Sequence, residues 1–252
     1  MTHKREVEEK AELTGSVWVV SSVGAMRAIL HGDFAEAERL AGEALEFAQG
    51  VHSEVATGIY GLQMFTIRRE QGRLAEVAPW RPGLMLIASD LGFKNAARNT
   101  FEGLAATGFT FPIDAKRNLT LSYLAEVCAR LEDPDRAEQL YELLLPYRDL
   151  AMVVPTTTVC CGANSRYLGM LAALMGEWAA AEEHFATALD MDERLHAWPW
   201  LAHTKHEFAL ALTTRGRPRD RSRANTLLAE AAASAERIGM PTLQNQILTL
   251  RH

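Results

Sequence analysis

The chain has 252 residues, of which 48% are hydrophobic and 23% charged, and its formal net charge is −6. This balance excludes disordered, fibrous and disulfide-stapled proteins, and an acidic chain without cationic helix faces disfavours nucleic acid as a partner. The three cysteines lack CxxC spacing, and the N-terminus is charged. No apolar run reaches the ~20 residues that a membrane span needs. These features predict a cytoplasmic protein with no membrane partner.

Helix formers dominate almost every segment, because Ala and Leu fill the periodic stretches and β-branched runs are rare. In chain order, we predict helices over residues 7–30, 34–49, 53–71, 94–106, 114–131, 134–146, 164–175, 177–191, 198–214, 222–238 and 242–250. Only residues 17–20 and 152–154 contain enough Val to suggest strands. We interpret the apolar stretch 149–161 as a loop packed over the helices, and residues 1–252 as one continuous domain.

Turn residues recur at regular intervals and divide the helices into hairpins. Gly32, Gly72, Gly92, Glu132, Gly176 and Gly216 are separated by 40, 20, 40, 44 and 40 residues. The half-length step contains Pro79 and Pro82, which indicates that one helix is missing or fused there. The fifth residue after four of the turns is alanine, at Ala37, Ala97, Ala137 and Ala181. The ninth is large after three of them, and this spacing predicts close packing on one helix face.

The pattern is clearest in residues 167–189, which fold back at Met175-Gly176-Glu177. This unit resembles a tetratricopeptide repeat, with the large-then-small pair Leu168-Gly169 in its first helix and small, aromatic and small residues in its second. Repeats of that family are shorter, at about 34 residues. The resemblance implies an all-α, TPR-like right-handed α-solenoid of about five helical hairpins plus a C-terminal capping helix.

The second half of the chain has a wider resemblance, carried by residues 124–147, 166–189 and 198–212. These segments are similar to the C-terminal helical region of large bacterial signalling ATPases, the adenylate-cyclase-like and LuxR-type regulators. The resemblance implies a sensor or docking arm in bacterial signalling or transcriptional regulation. The sequence contains no GxxxxGK[ST] phosphate loop, so it lacks the nucleotide-binding engine of those regulators.

Tetratricopeptide-like arrays bind partners in a groove lined by the first helix of each hairpin, at about two, three, six, ten and thirteen residues before the turn. In this sequence those offsets select Ser22, Met26, Leu62, Thr66, Arg69, Ser122, Glu126, Arg130, Arg166, Met170, His203 and His206. A wall of apolar positions with three interspersed arginines suits an extended peptide or an acidic group, because a guanidinium binds a carboxylate in a bidentate manner.

Other chemistry-bearing residues lack the spacing of a catalytic or metal site. His203 and His206 share a helix face, but a metal site needs at least a third ligand. We interpret Cys160-Cys161 as a buried pair and residues 215–223 as a solvated loop between helices. We therefore expect no catalytic residues, no metal and no cofactor.

These features favour a non-catalytic protein-interaction or ligand-sensing module that binds a peptide or partner protein in its concave groove. Two alternatives stay open. One is a small-molecule-binding protein or enzyme with a pocket enclosed by the repeats, built from Glu126, Arg166, His203 and His206. A deep, closed pocket would favour it. The other is a homodimerisation scaffold, which would leave an apolar face uncovered at one end of the array.

Overall fold

The computed structural model describes residues 18–48, 53–76, 94–109, 117–154 and 158–250. Eleven α-helices lie within these ranges, so the all-α prediction is confirmed at the level of secondary structure. They are α1 (residues 18–31), α2 (Phe34–Ala48), α3 (Ser53–Glu70), α4 (Lys94–Ala105), α5 (Arg117–Leu131), α6 (Pro134–Leu144), α7 (Asn164–Leu174), α8 (Trp178–Arg194), α9 (Trp198–Arg215), α10 (Asp220–Ile238) and α11 (Pro241–Leu250). Two short strands, β1 (Ala151–Val153) and β2 (Cys160–Ala163), separate α6 from α7.

Where both ends of a helix are described, the predicted and observed boundaries agree within three residues. Short 3-10 turns at Leu74–Glu76 and Leu145–Tyr147 follow α3 and α6. Residues 17–20, one of the two Val-rich stretches, are helical from Trp18 onwards. The predicted start of the first helix and the half-length step with Gly92 lie outside the described residues.

The turns that divide the sequence into hairpins share a left-handed backbone. Their φ angles are 82° at Gly32, 70° at Gly72, 53° at Glu132, 78° at Gly176 and 68° at Gly216. In the first four, the following N–H bonds the carbonyl five residues earlier, as from Glu177 to Ala172 at 2.9 Å. This bond satisfies carbonyls that the end of a helix leaves open, and glycine allows it without strain in all of these turns except the one at Glu132.

The small and large positions after each turn pack as the spacing predicts. Ala37, Ala97, Ala137 and Ala181 are at most 2% exposed. At the predicted close-contact position on the preceding helix, a Cβ on Gly169 would lie 3.0 Å from the Phe185 ring. Phe185 in turn stacks on Phe208, with ring centroids 4.9 Å apart, so the aromatic fills the space between neighbouring hairpins.

Alternate helices contact one another and form the centre of the molecule. We name α3, α5, α7, α9 and α11 the inner helices. α7 packs against both α5 and α9, and α11 packs against both α9 and α3. Phe65 of α3 approaches Tyr123 of α5, with centroids 6.3 Å apart. The inner helices therefore form a closed ring, and Gly32 in the first hairpin turn lies against Pro199 and Ile238.

The β-hairpin packs on this ring, as we expected for the apolar stretch, although its strands were not predicted for residues 160–163. β1 and β2 are antiparallel, with Ala151 opposite Ala163, and they contact α5, α8 and α9. Asp192 of α8 holds β2 in place, because its carboxylate accepts from the Ala163 N–H at 2.8 Å and from the Thr204 hydroxyl at 2.7 Å.

Candidate functional site

Charged side chains of the inner helices meet inside the ring. We name this group the axial cluster; it consists of Arg69, Glu70, Glu126, Arg130, Arg166, His203, His206 and Glu207. The helix spacing places them there, because each lies on the face that its helix turns toward the other inner helices. Six of the eight were selected from the sequence.

Glu126 lies between two arginines. Arg69 of α3 forms a salt bridge to it with side chains 11% and 9% exposed, and Arg130 donates to the same carboxylate oxygen at 2.5 Å. Burial and the nearby charge of Arg69 lower the pKa of Arg130 to about 10, so this guanidinium is still protonated at neutral pH. Both arginines are therefore engaged with Glu126, and Arg130 remains partly exposed at 25%.

His203 and Glu70 connect α9 to α3 across the ring. The His203 Nε2 and the Glu70 carboxylate are 2.8 Å apart, and the side chains are 14% and 4% exposed. Burial alone would raise the pKa of Glu70, but the charge and hydrogen bond of His203, together with Arg69, keep it below its usual value. This buried contact joins two distant parts of the chain and leaves no open concavity between these helices.

Arg166 is the most enclosed arginine of the axial cluster, at 5% exposure. Its guanidinium donates to the Tyr167 hydroxyl at 2.6 Å and lies 5.7 Å from the centroid of the Trp200 ring. It forms no salt bridge with any described residue, and its Nε has no hydrogen-bond partner among them. Burial opposes its charge, but nearby groups such as Tyr167 and Glu126 raise the pKa of Arg166.

His206 and Glu207 complete the axial cluster on α9. The His206 Nδ1 lies 3.2 Å from the Glu207 carboxylate, with side chains 7% and 18% exposed. Burial acts to raise the pKa of Glu207, but the hydrogen bond from His206 and the charges of His206 and Arg130 lower it to about 2. Glu207 is therefore ionised, whereas the His206 Nε2 is buried without a partner among the described residues.

The other selected residues have local roles. The Thr66 hydroxyl donates to the Leu62 carbonyl at 3.0 Å, and the Ser122 hydroxyl donates to the Asn118 carbonyl at 2.9 Å. Ser22 is 3% exposed, and its carbonyl accepts from the Gln63 side chain at 3.0 Å, away from the axial cluster. Met26 is partly buried against the core.

The centre of the ring is filled. The space among α3, α5, α7 and α9 has no volume for a water molecule. It is lined by Phe65, Thr66, Arg69, Glu70, Tyr123, Cys161, Tyr167 and Trp200. Thr66 and Arg69, which the spacing selected, lie in this filled space and are covered by opposing helices.

An open depression remains where the last turns of α5, α7 and α11 surround the second half of α9. We name it the bowl. It has two adjoining parts of about 360 and 520 Å³ that share Ala129, Glu132, Met170, Glu207 and Leu210. One part also includes Ala173, Leu174 and Phe185, and the other includes Arg130, His206, Gln246 and Leu250. These volumes fall in the range of small-molecule sites.

Sequence reasoning missed Glu70, Glu207 and most of the bowl. Glu70 stands two residues before the Gly72 turn, one of the offsets used, so the same rule could have selected it. Glu207 stands nine residues before Gly216, outside those offsets. The bowl combines the ends of four helices, and its shape depends on how far the array curves.

The described residues show no arrangement for nucleophilic or metal chemistry. All three cysteines are free and buried, and burial raises the pKa of Cys128 to about 12 and that of Cys161 well above its usual value. Across the same part of the chain, no three His, Cys, Asp or Glu side chains group closely enough to hold a metal ion. None of the described helices combines the length and apolar character needed to cross a membrane.

Comparison with known proteins leaves the site to be interpreted from its geometry: no protein-family model matches the chain, and no curated protein or solved structure is significantly similar to it.

Proposed function

We propose that this chain is a non-catalytic ligand-sensing module whose ligand sits in the bowl. The observation that carries the proposal is an open, largely apolar depression beside a buried side chain with an unsatisfied polar atom, the His206 Nε2. Binding sites typically combine apolar walls with a few polar groups that orient the ligand. The paired charges of the axial cluster have a structural role in this proposal, because they hold the inner helices together.

We further propose that the hairpins form a right-handed TPR-like solenoid that curves until its two ends meet. The repeated left-handed turns and the alternating contacts of the inner helices support this arrangement. In this form the module is a cytoplasmic sensor or docking arm of bacterial signalling or transcriptional control. A ligand in the bowl would touch α5, α7, α9 and α11 together, so it would report on the closure of the array.

The bowl suits a compact ligand better than an extended peptide along the inner wall. Most of the residues predicted for that wall are buried by neighbouring helices, for example Leu62 at 5% and Ser122 at 0% exposure. An extended peptide would need their side chains and a continuous groove. A ligand of the bowl needs only the last turns of α5, α7 and α11 and the second half of α9, which line an open depression.

Native mass spectrometry of the full chain, compared with its mass after denaturing extraction, tests the proposal. We expect a co-purifying small molecule that is lost in Ala129→Tyr, which fills the part of the bowl shared by its two halves. The matched control Ala229→Tyr places the same side chain at an exposed position of α10 and should retain the ligand. Retention by Ala129→Tyr would refute the bowl as the site, and turnover of the bound molecule would refute the non-catalytic reading.

A further inference from the structure

The lining of the bowl has one more carboxylate than guanidinium groups. Its charged side chains are Arg130, Glu132 and Glu207. Arg130 already donates to Glu126, which lies behind the lining. Glu132 is exposed at the rim and Glu207 is ionised, so the lining carries two carboxylates against one arginine. An anionic ligand would meet this surplus of negative charge.

The unsatisfied Nε2 of His206 is a hydrogen-bond acceptor when the imidazole ring is neutral. Because the ionised Glu207 carboxylate only accepts hydrogen bonds, the His206 Nδ1 at 3.2 Å must carry the proton of that contact. In the neutral ring, Nε2 is then an acceptor. The His206 side chain is 7% exposed and lies on the wall of the bowl. Its Nε2 has no partner among the described residues. A buried acceptor without a donor is costly, so a ligand N–H group would relieve it.

Helix ends add to the preference for a cation. The last turn of α5, which ends at Leu131, and that of α11, which ends at Leu250, both line the bowl. The residues Ala173 and Leu174 at the end of α7 line its other half. The C-terminal end of a helix carries a partial negative charge, which favours a nearby positive charge.

The walls around these acceptors are apolar. Met170, Leu210 and Ala129 belong to both halves of the bowl, and Leu210 is 37% exposed although it is a large aliphatic side chain. A small ion alone would leave these apolar side chains exposed to water. A ligand that covers them and satisfies the acceptors needs both a hydrocarbon body and a cationic donor group.

We propose that the bowl binds a free small-molecule amine with an apolar body, whose ammonium group donates to His206 Nε2 and Glu207. This inference rests on the proposed function of the bowl and specifies the chemical class of its ligand. The sequence-based expectation of an acidic ligand took Arg69, Arg130 and Arg166 as groove residues. The first two are bonded to Glu126, and Arg166 lies behind the bowl and not on its lining.

Three probes of similar length and shape test which ligand charge the bowl prefers: 4-phenylbutylamine, 4-phenylbutanol and 4-phenylbutyrate. Each is titrated into the full chain, and binding is followed by NMR. We expect saturable shifts with the amine, binding about 10-fold weaker with the alcohol and none with the carboxylate. Equal or tighter binding of the carboxylate would overturn the inference. So would tighter binding of an acetylated peptide with a central lysine between two leucines, because the ligand would then be a protein segment.

Variants locate the contact. Glu207→Gln should weaken the amine about 10-fold and Glu132→Gln, at the exposed rim, about 3-fold, whereas Glu193→Gln at an exposed position of α8 should have no effect. Circular dichroism checks that each variant is folded. If Glu207→Gln does not fold, Glu132→Gln still tests the inference. Unchanged affinity in both bowl variants would overturn the inference.

Failure of the inference is distinguishable from failure of the proposed function. If the amine does not bind but native mass spectrometry still finds a ligand that Ala129→Tyr removes, the bowl is the site and the amine class is wrong. If the amine does not bind and Ala129→Tyr removes no ligand, both proposals are wrong.

Discussion

The substitution Gly162→Ala tests how tightly the β-hairpin is held against α8 and α9. Gly162 lies in β2 with φ of 73°, and a Cβ there would be 2.5 Å from the Cβ of Trp200 and 2.6 Å from the Asp192 carboxylate. Ordinary contacts begin near 3.4 Å, so one side would have to move by about 1 Å. The nearest atom is a Cβ, which cannot rotate away.

The matched control is Gly176→Ala in the turn between α7 and α8. Its φ is 78°, almost the same, but a Cβ there meets nothing within 4 Å. Both variants place alanine in the left-handed region at a cost of about 1–2 kcal/mol. Only Gly162→Ala adds overpacking, which typically costs about 1–3 kcal/mol. We therefore expect a loss of unfolding free energy of about 2–5 kcal/mol for Gly162→Ala and about 1–2 kcal/mol for Gly176→Ala.

Urea and thermal unfolding, followed by circular dichroism, measure the difference. In a domain of this size, each kcal/mol lowers the melting temperature by about 2–4 °C. Equal destabilisation of the two variants would refute the reasoning, because it would mean that β2 does not pack against Trp200 and Asp192 at the distances described.

Two further predictions concern buried charges. Burial raises the pKa of Asp192 to about 6, above its unfolded value, so its stabilising contribution is full below about pH 4 and is lost as pH rises through 6. The loss amounts to about 3 kcal/mol, and urea titrations should show it in the wild type and not in Asp192→Asn. Glu70→Gln should cost about 3 kcal/mol because it breaks the buried contact with His203, whereas Glu36→Gln in an exposed ion pair should barely change the urea midpoint. The first prediction is contradicted if the unfolding free energy of Asp192→Asn still declines as pH rises through 6. The second is contradicted if Glu70→Gln and Glu36→Gln change the urea midpoint equally.

The helices could be predicted because their ends are encoded locally. Gly32 and Gly176 permit the left-handed turn, Asp133 caps the next helix by accepting from the Arg136 N–H, and Pro134 occupies the first helical turn. The strand at Cys160–Ala163 has no such signal. All four of its residues are buried, so it lacks the alternation that marks a half-buried strand, and a pair this short depends on the helices beneath it.

The site was only partly predictable, for a different reason. Helical spacing determines which side chains point inward, and Glu126, Arg166, His203 and His206, which it selected, lie between the inner helices. Whether an inner position faces a groove or another helix depends on the curvature summed over all hairpins. No local pattern encodes that sum. The contact of His203 with Glu70, 133 residues apart in sequence, is a consequence of that closure.

The axial cluster connects the contacts between the inner helices with the ligand preference that we propose. It contains three arginines and three glutamates, so its permanent charges cancel without a bound ion. Apolar faces alone would let the last hairpins slide against α3, whereas a buried charge must meet its counterpart and thus fixes one register. Of these groups, Arg130 and Glu207 also line the bowl, where Glu132 adds a second carboxylate. Arg130 and Glu207 therefore take part both in the contacts between the inner helices and in the amine site that we propose.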